Sequence, residues 1–279
     1  MKYDEVPALK NLASKYGFEP SKTYGQNFLI DETVIQKILS VAHIKKTDSV
    51  VEVGPGFGVL TRALSEVAGE VYSFEIEKKL LEYWEKELHK YPNIKIFWGN
   101  VLKTFPDFCE NFSKEYFVVA NLPYQITSPV IRMFLEATHP PKKLTLMVQK
   151  EVGERICADP GDMSLLAVSV QYYCDVKFEF KVPASAFWPY PRVDSAVINI
   201  NHRKEKVGAE EEKWFFSVVK QGFSNRRKLL IKNLSGLSVV KNKAELLAIF
   251  DKLSLLKTAR AQELSVQNWR ELALELKNS

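Results

Sequence analysis

The chain has 279 residues, of which 46% are hydrophobic, and it carries 39 Lys or Arg against 34 Asp or Glu. This length and composition predict a sizeable buried core and one large domain joined to a smaller one. No uncharged run approaches the roughly 18 residues that a membrane-spanning helix requires, and the amino terminus lacks the apolar segment of a signal peptide. A soluble cytoplasmic protein without a membrane partner is therefore expected.

The cysteines and histidines do not form a recognisable metal or disulfide pattern. The three cysteines are Cys109, Cys157 and Cys174, an odd number without C-x-x-C spacing. The four histidines are scattered without the spacing of metal ligands. We expect reduced thiols and no metal.

The excess positive charge lies in the last quarter of the chain. Lys and Arg number 25 against 25 Asp and Glu over residues 1–204, and 14 against 9 over residues 205–279. This asymmetry favours a polyanionic partner such as nucleic acid. If charge is the only criterion, a basic face exposed to solvent is an equally good explanation.

The predicted elements begin with an amphipathic helix over residues 6–16. The polar, glycine-containing loop "SKTYGQNFLID" follows and leads into a helix over residues 31–41, with Asp31 as its N-cap. From residue 49 to residue 149, short β-rich runs alternate with helical patterns, which is typical of an α/β fold with a mostly parallel sheet. The predicted strands are residues 49–53, 71–75, 94–98, 116–120 and 144–148. The predicted helices between them are residues 59–68, 77–89 and 129–138.

Two helices, at residues 150–158 and 165–173, are predicted after this repeat. The strands predicted at residues 176–182 and 195–201 would close the sheet as an antiparallel edge. The loop between them, "PASAFWPYPRVD", contains too much proline for an interior strand. The charged segment "NHRKEKVGAEEEK" then marks a domain boundary near residue 205, and the rest of the chain is predicted to be helical.

A glycine-rich loop, "VEVGPGFGVLT", follows the first strand of the predicted sheet. Gly54, Gly56 and Gly58 let the backbone turn tightly and let a ligand approach it before a helix begins. A glycine-rich turn without a ligand is the alternative. Glu75 ends the next strand 21 residues after Gly54, where a carboxylate accepts hydrogen bonds from ribose hydroxyls in doubly wound folds. Loop and acid together indicate an adenosine-containing cofactor.

The spacing of the glycines favours one such cofactor. A dinucleotide needs a helix N-terminus facing its pyrophosphate, and its usual loop is G-x-G-x-x-G, whereas this loop is G-x-G-x-G. S-adenosylmethionine has an adenosine but no phosphate, so it needs only the acid and a close backbone approach. We therefore expect S-adenosylmethionine.

The tetrapeptide "NLPY", comprising Asn121, Leu122, Pro123 and Tyr124, follows a buried strand at the edge where open α/β sheets bind ligands. The side-chain oxygen of Asn121 and a carbonyl of the proline turn offer two acceptors to an exocyclic amino group. Its nitrogen lone pair is then free to attack a sulfonium methyl group, and positioning supplies much of the rate. Tyr124 offers a flat face to an unstacked base, worth about 1–3 kcal/mol. A polar turn with a half-buried tyrosine is the alternative.

Six segments of the chain, in order, resemble the ribosomal RNA small-subunit adenine dimethyltransferase family of the KsgA type. They are "YGQNFLID", "VEVGPGFGVLT", "NLPYQITSP", "MVQKEVGERI", "SAFWPYPRVDSAV" and "FSNRRKLLIKNL", and they extend from about Tyr24 to Leu234. The resemblance implies a Rossmann-like methyltransferase sheet with helices on both faces in residues 1–204. It also implies a small all-helical RNA-binding domain in residues 205–279.

The implied reaction is the transfer of two methyl groups from S-adenosylmethionine to N6 of each of two adjacent adenosines. In the family these adenosines lie in a hairpin near the 3′ end of small-subunit (16S) ribosomal RNA within an assembling subunit. We expect the protein to act as a monomer.

The resemblance also implies roles for cofactor-binding residues. Asn27 and Leu29 would border the methionine end of the cofactor, and Gly54 with Gly56 would underlie it. Glu75 would hold the ribose, and Asn121 would lie where the cofactor and the target base meet. Asn100 stands where the family has an aspartate that contacts the adenine amino group, and its amide oxygen can accept the same hydrogen bond without charge.

Two further features are expected to contact RNA. Phe187 resembles the family position that presses the target base from the side opposite Tyr124, and a core phenylalanine is the alternative. The basic residues Arg226, Arg227 and Lys228 lie among Phe223, Leu230 and Leu234, which are spaced like the buried face of a helix. Phosphate contact by the outward basic residues is the hypothesis, and a solvated helix face is the alternative.

Three other functions use the same features. A large-subunit ribosomal RNA adenine methyltransferase of the macrolide-resistance type would use the same chemistry, but the "NLPYQITSP", "PRVDSAV" and "RRKLL" segments favour the small-subunit type. A non-catalytic RNA-binding assembly factor of the same fold is less favoured because "NLPY" and Glu75 are intact. A DNA adenine methyltransferase is disfavoured because the chain has no large recognition domain.

Overall fold

The chain folds into two compact units. The computed structural model describes residues 6–21, 25–110, 112, 114–203 and 208–279. The first unit comprises Met1–Gly153 and Val176–His202, and the second comprises Glu154–Asp175 and Arg203–Ser279. No helix among the described residues combines the length and the apolar character needed to cross a lipid bilayer.

The described residues contain nine strands and twelve α-helices. The strands are β1 (Phe28–Leu29), β2 (Ser49–Val53), β3 (Glu70–Glu75), β4 (Ile94–Trp98), β5 (Tyr116–Asn121), β6 (Lys143–Gln149), β7 (Cys174–Val182), β8 (Phe187–Trp188) and β9 (Ser195–His202). The helices are α1 (Val6–Lys15), α2 (Glu32–Ala42), α3 (Val59–Val67), α4 (Leu81–Glu87), α5 (Val101–Glu110), α6 (Thr127–Leu135), α7 (Lys150–Ile156), α8 (Leu165–Tyr173), α9 (Ala209–Gly222), α10 (Leu230–Leu234), α11 (Lys243–Lys252) and α12 (Val266–Asn278).

Seven strands form one sheet in the order β4-β3-β2-β5-β6-β9-β7. The first five are parallel, and β9 is antiparallel to β6, which confirms the predicted antiparallel strand at this edge. Strand order reverses between β2 and β5. Because parallel crossover connections are right-handed, this reversal places helices on both faces of the sheet and creates a ligand crevice at the carboxyl ends of the strands.

The strands form where the sequence has continuous apolar runs. Every residue of β2 is buried, as expected for a central parallel strand covered on both faces. The predicted cap of α2 is also confirmed, since Asp31 Oδ1 accepts hydrogen bonds from the N–H groups of Thr33 (2.9 Å) and Val34 (3.3 Å).

Helix α5 is not among the helices predicted from the sequence, and Pro106 lies inside it. Its aromatic side chains join the packing beside the sheet: Phe105 packs edge-on against Phe134, with ring centroids 4.7 Å apart, and against Phe74 at 5.7 Å. This tertiary packing outweighs the local preference against proline within a helix.

Strands β1 and β8 form a two-stranded antiparallel ribbon that the proline-rich sequence does not predict. Phe28 pairs with Trp188 and Leu29 pairs with Phe187. The rings of Phe28 and Trp188 stack with their centroids 6.2 Å apart. The ribbon joins two loops that are about 160 residues apart in the sequence.

The second unit differs from the expected division into residues 1–204 and 205–279. Helix α8 packs with the C-terminal helices: the rings of Tyr172 and Phe215 stack at 4.2 Å, and Arg270 donates a hydrogen bond to the Tyr172 carbonyl at 2.9 Å. Residues 154–175 therefore belong to the helical unit, because its core buries their apolar side chains. The boundary predicted near residue 205 falls at residues 204–207, outside the described residues.

Candidate active site

A cleft of about 260 Å³ lies at the carboxyl ends of β2, β3, β4 and β5. Its lining includes the glycine loop after β2, the end of β3, the start of α5 and the tetrapeptide after β5. Residues 25–29 from the amino-terminal loop contribute a further wall. The cleft thus occupies the crevice where open α/β sheets bind ligands.

The glycine loop is held in a conformation that favours glycine. Gly54, Gly56 and Gly58 have φ angles of 73°, 55° and 78°. A Cβ on Gly56 would lie 2.6 Å from the Phe28 ring, whereas a Cβ on Gly54 would meet no atom within 4 Å. Because Gly54 lines the cleft, its missing side chain leaves space for a ligand against the backbone.

The loop is anchored to its surroundings through Gly54 and Gly56. The N–H of Gly54 donates to the Phe74 carbonyl at 2.9 Å, and the indole N–H of Trp84 donates to the Gly56 carbonyl at 2.9 Å. These bonds hold the loop backbone in place before any ligand binds.

Glu75 lies at the end of β3 with only 4% of its surface exposed. Its Oε2 accepts the N–H of Gly56 at 3.0 Å, and its Oε1 accepts the N–H of Glu77 at 2.8 Å. Burial raises the pKa of this carboxyl group, and the two backbone hydrogen bonds oppose that shift. Each oxygen keeps a lone pair that a ribose hydroxyl can use.

Asn121 ends β5 and lines the cleft. Its Nδ2 donates to the Asn27 carbonyl at 3.1 Å, which fixes the orientation of the amide. The Pro123 carbonyl accepts from the N–H of Ile126 at 3.1 Å and is therefore occupied by the turn. Within the described part of the chain, Asn121 Oδ1 and the Leu122 carbonyl accept no hydrogen bond, so these two oxygens are the acceptors left for a ligand.

Tyr124 begins a single 3₁₀ turn, Tyr124–Ile126, and is half-buried at the cleft. Its hydroxyl oxygen lies 2.8 Å from Ser195 Oγ. Burial raises the pKa of the Tyr124 hydroxyl, so this group remains a neutral phenol at physiological pH.

Asn27, Leu29 and Asn100 also line the cleft. The Nδ2 group of Asn27 donates to the Gly25 carbonyl at 3.1 Å. Asn100 is exposed, and its Oδ1 accepts the N–H of Leu102 at 3.0 Å at the start of α5. The amide oxygen of Asn100 thus stabilises the helix terminus and has one remaining lone pair for an adenine amino group.

The comparisons with known proteins identify the family of the chain. Residues 17–278 match the sequence profile of the family described as "Ribosomal RNA adenine dimethylase". The chain belongs to this family. A protein from Dehalococcoides mccartyi named "Ribosomal RNA small subunit methyltransferase A" is 39% identical over 269 residues, which cover 95% of this chain and 91% of that protein.

Two crystal structures of related enzymes have the same fold. A dimethyladenosine transferase from Plasmodium falciparum superposes with a TM-score of 0.77 at 27% identity, covering 90% of this chain and 98% of that one. The 23S rRNA methyltransferase ErmE superposes with a TM-score of 0.75, also at 27% identity, covering 90% of this chain and all of that one. The chain is therefore similar in fold both to a dimethyladenosine transferase and to a 23S rRNA methyltransferase.

Phe187, which is expected from the sequence to press the target base, lies in the core and not in the lining of the cleft. Its side chain is 0% exposed and belongs to the core cluster that includes Leu29 and Val197. It is absent from the cleft lining. The pairing of β1 with β8 buries the ring, so the structure agrees with the alternative of a core phenylalanine.

The basic cluster, defined as Arg226, Arg227 and Lys228, does not lie on a helix as expected. The three residues occupy the loop between α9 and α10, and all three are exposed. Asn225 folds this loop: its Oδ1 accepts the N–H of Arg227 at 3.2 Å, and its carbonyl accepts Nδ2 of Asn233 at 3.0 Å. These hydrogen bonds of Asn225 fold the segment into a loop in place of the expected helix. The three cations are exposed, as predicted.

Glu52 and Ile76 line the cleft but were not predicted from the sequence. Glu52 is 2% exposed, accepts a 2.7 Å hydrogen bond from Ser73 Oγ, and has its pKa raised by burial to about 7. Ile76 is 43% exposed and offers an apolar surface beside Glu75. A charged residue inside the apolar run "SVVEV" was the available signal for Glu52.

Among the described residues, no three His, Cys, Asp or Glu side chains form a group that could hold a metal ion. The polar groups at the cleft include backbone N–H and carbonyl groups, side-chain amides and two buried carboxyl groups. Such a set suits an organic ligand with a ribose and an amine.

Proposed function

We propose that this chain transfers methyl groups from S-adenosylmethionine to N6 of adenosines in small-subunit ribosomal RNA and produces N6,N6-dimethyladenosine. The observation that carries the proposal is the position of Asn121–Tyr124 in the same cleft as the glycine loop and Glu75. One ligand site therefore adjoins a pair of acceptors suited to an amino group.

The cleft residues fit the cofactor. Glu75 would accept hydrogen bonds from the ribose hydroxyls, and the open space at Gly54 would admit the methionine portion against the backbone. Ile76 would cover one face of the adenine, and the Asn100 amide oxygen would accept its amino group. When bound, S-adenosylmethionine supplies an electrophilic methyl group on a sulfonium centre.

The transfer site offers two hydrogen-bond acceptors to one nitrogen atom of the target base. Asn121 Oδ1 and the Leu122 carbonyl would accept the two N6 hydrogens of the target adenine, since neither oxygen has another partner among the described residues. Holding both hydrogens in the first transfer, and the one that remains in the second, keeps the nitrogen lone pair out of conjugation with the ring and directs it along the line of attack. Rate enhancement then comes mainly from positioning.

Tyr124 contributes a stacking face and does not act as a base. Its hydroxyl pKa is raised by burial, so deprotonating the phenol near neutral pH would be unfavourable. The methylated ammonium that forms on N6 is acidic enough to release its proton to a polar neighbour or to water. Stacking of an unpaired base on the ring is worth about 1–3 kcal/mol.

The choice of small-subunit RNA rests on sequence similarity. The fold alone does not identify the RNA substrate, because the 23S enzyme superposes almost as well as the dimethyladenosine transferase. The identity of 39% to a small-subunit methyltransferase exceeds the 27% identity to the 23S enzyme. The substrate would be two adjacent adenosines in a hairpin near the 3′ end of the RNA, modified by a monomer in the cytoplasm during subunit assembly.

The helical C-terminal part is proposed to bind the RNA backbone. The basic cluster is exposed on a loop, and its three cations form no ion pair with a described residue. Unpaired cations of this kind neutralise phosphates and release counterions on binding.

The test uses labelled S-adenosylmethionine and two substrates. Small ribosomal subunits lacking the modification and large-subunit RNA are incubated separately with the protein, and the RNA is digested to nucleosides. Label in N6,N6-dimethyladenosine from the small subunit supports the proposal. Label only in large-subunit RNA would reassign the substrate, and RNA binding without label in either sample would favour a non-catalytic assembly factor.

A further inference from the structure

We propose that Ser195 is a positioning residue that fixes the ring of Tyr124 for the target base through the hydrogen bond between their hydroxyl groups. This inference rests on the proposed function, because it assigns the Tyr124 ring as the face on which the adenine stacks. It adds a residue from β9, on the far side of β6 from the tetrapeptide strand, to the transfer site.

Tyr124 lies on an element that gives its side chain little support. The turn Tyr124–Ile126 is a 3₁₀ helix of only three residues, in which the N–H of Ile126 donates to the Pro123 carbonyl at 3.1 Å. Such turns have poorer hydrogen-bond geometry than an α-helix. The ring is also only half-buried, so its orientation depends on a contact from outside the turn.

Ser195 is held rigidly. It is 0% exposed and pairs with Gln149 at the end of β6. The preceding residue is anchored twice: the Asp194 carbonyl accepts the N–H of Lys150 at 2.9 Å, and Asp194 Oδ1 accepts the N–H of Ala184 at 3.0 Å. The Ser195 hydroxyl therefore occupies a fixed point in the sheet.

The hydrogen bond connects this fixed point to the end of the tyrosine ring. The two oxygens are 2.8 Å apart, and within the described residues neither hydroxyl has another hydrogen-bond partner. A ring that is attached at its Cβ end and bonded at its hydroxyl end is restrained from rotating about χ1. The face turned to the cleft is thus set before RNA binds, which is the condition for an efficient near-attack geometry.

The first test is the variant Ser195→Ala. Losing the bond should lower kcat/KM for RNA by roughly 3- to 10-fold, the range that one net hydrogen bond supplies. The Kd for S-adenosylmethionine should not change, because Ser195 does not line the cleft. The matched control is Ser40→Ala, which removes an exposed hydroxyl that bonds only to the Lys37 carbonyl of its own helix.

A double-mutant cycle separates positioning from a general structural effect. Tyr124→Phe removes the same bond from the other side and keeps the stacking ring. If Ser195 acts through Tyr124, the two single variants and the double variant should lose similar activity. Additive losses, or an unchanged kcat/KM in Ser195→Ala, would overturn the role of Ser195.

A measurement without RNA checks the same bond independently of activity. In protein labelled with ¹³C-tyrosine, the ring resonances of Tyr124 should shift or broaden in Ser195→Ala and remain unchanged in Ser40→Ala. Unaltered Tyr124 resonances in Ser195→Ala would overturn the inference even if the wild type is active. Absence of methyl transfer by the wild type would overturn the proposed function instead, and with it the catalytic purpose of the bond.

Discussion

The backbone N–H of Gly56 donates a 3.0 Å hydrogen bond to the carboxylate of Glu75. The glycine loop and the acid, which the sequence indicates as two separate parts of a cofactor site, are therefore one connected unit. Since Glu75 also accepts the N–H of Glu77, both of its oxygens stabilise backbone while retaining lone pairs for a ligand.

Glu75→Gln should weaken both folding and cofactor binding. The amide NH₂ cannot accept a hydrogen bond, so either the Gly56 or the Glu77 N–H would lose its acceptor in a buried site. The expected loss in the free energy of unfolding is about 1–3 kcal/mol, measured by chemical denaturation. Calorimetric titration should show weaker binding of S-adenosylmethionine, and unchanged affinity would contradict a ribose-binding role.

Gly54→Ala should affect the cofactor more than the fold. The φ of 73° strains any residue with a side chain, but the added Cβ meets only open space in the cleft. Gly17→Ala is the matched control, with a φ of 57°, no atom within 4 Å of the Cβ, and a position away from the cleft. Both variants should lose about 1 kcal/mol of stability. Only Gly54→Ala should bind S-adenosylmethionine more weakly, by about tenfold or more.

Glu52 should make stability depend on pH between 4.5 and about 7. Burial raises its pKa in the folded chain from 4.5 to about 7, so the folded state binds this proton more tightly than the unfolded state. The free energy of unfolding should then fall as pH rises through this interval, with a contribution of about 3 kcal/mol in total. Glu52→Gln should remove this contribution and leave the one that the buried Glu75 makes with the same sign, and denaturation at several pH values measures the difference.

The control for this experiment is Glu70→Gln. Hydrogen bonds from Lys114 and Lys95 lower the Glu70 pKa to about 2, so the stabilisation by this carboxylate is lost only as pH falls from about 4.5 toward about 2. Between pH 5 and pH 8 this variant should differ from the wild type by a constant amount. The same pH slope in wild type and Glu52→Gln would contradict the assignment to Glu52.

Removing Arg226 and Arg227 should weaken RNA binding most at low salt. The double variant Arg226→Gln/Arg227→Gln should reduce the slope of log K against log salt by about 1.4 to 1.8, measured by filter binding or anisotropy. The control removes Lys252 and Lys257, whose charges are paired with Glu275 and Asp251. Equal slopes for the wild type and the arginine variant would leave a solvated basic loop as the explanation.

Local sequence was sufficient to predict the sheet and most of the cleft. Apolar runs indicate buried strands, and polar residues directly after them, as at Glu75 and Asn121, must lie at the carboxyl edge of a parallel sheet. Glu75 and Asn121 lie at the same edge of the sheet because β2 pairs in parallel with both of their strands, β3 and β5. The Asp31 cap was predictable for the same local reason.

Features that depend on distant partners were not predictable. Phe187 is buried because β8 pairs with β1, and no local pattern specifies that pairing. Residues 154–175 join the C-terminal helices because Tyr172 and its neighbours find their apolar partners there, although they lie between strands in the chain. The hydrogen bond between Tyr124 and Ser195 likewise spans 71 residues.

The central claim is that Asn121 orients an adenine amino group beside the cofactor. Asn121→Ala should lower methyl transfer to small-subunit RNA by about 100-fold or more, because only positioning is lost. The exposed Asn201, which lies outside the cleft, provides the control variant Asn201→Ala, and thermal unfolding checks that both variants fold.

The most direct measurement compares these two variants with the wild type for S-adenosylmethionine affinity by calorimetry and for yield of N6,N6-dimethyladenosine by nucleoside analysis. The expected result is cofactor affinity within about threefold of the wild type for Asn121→Ala, with the dimethylated nucleoside lost in that variant alone. Wild-type yield of N6,N6-dimethyladenosine from Asn121→Ala would contradict the assignment of the transfer site.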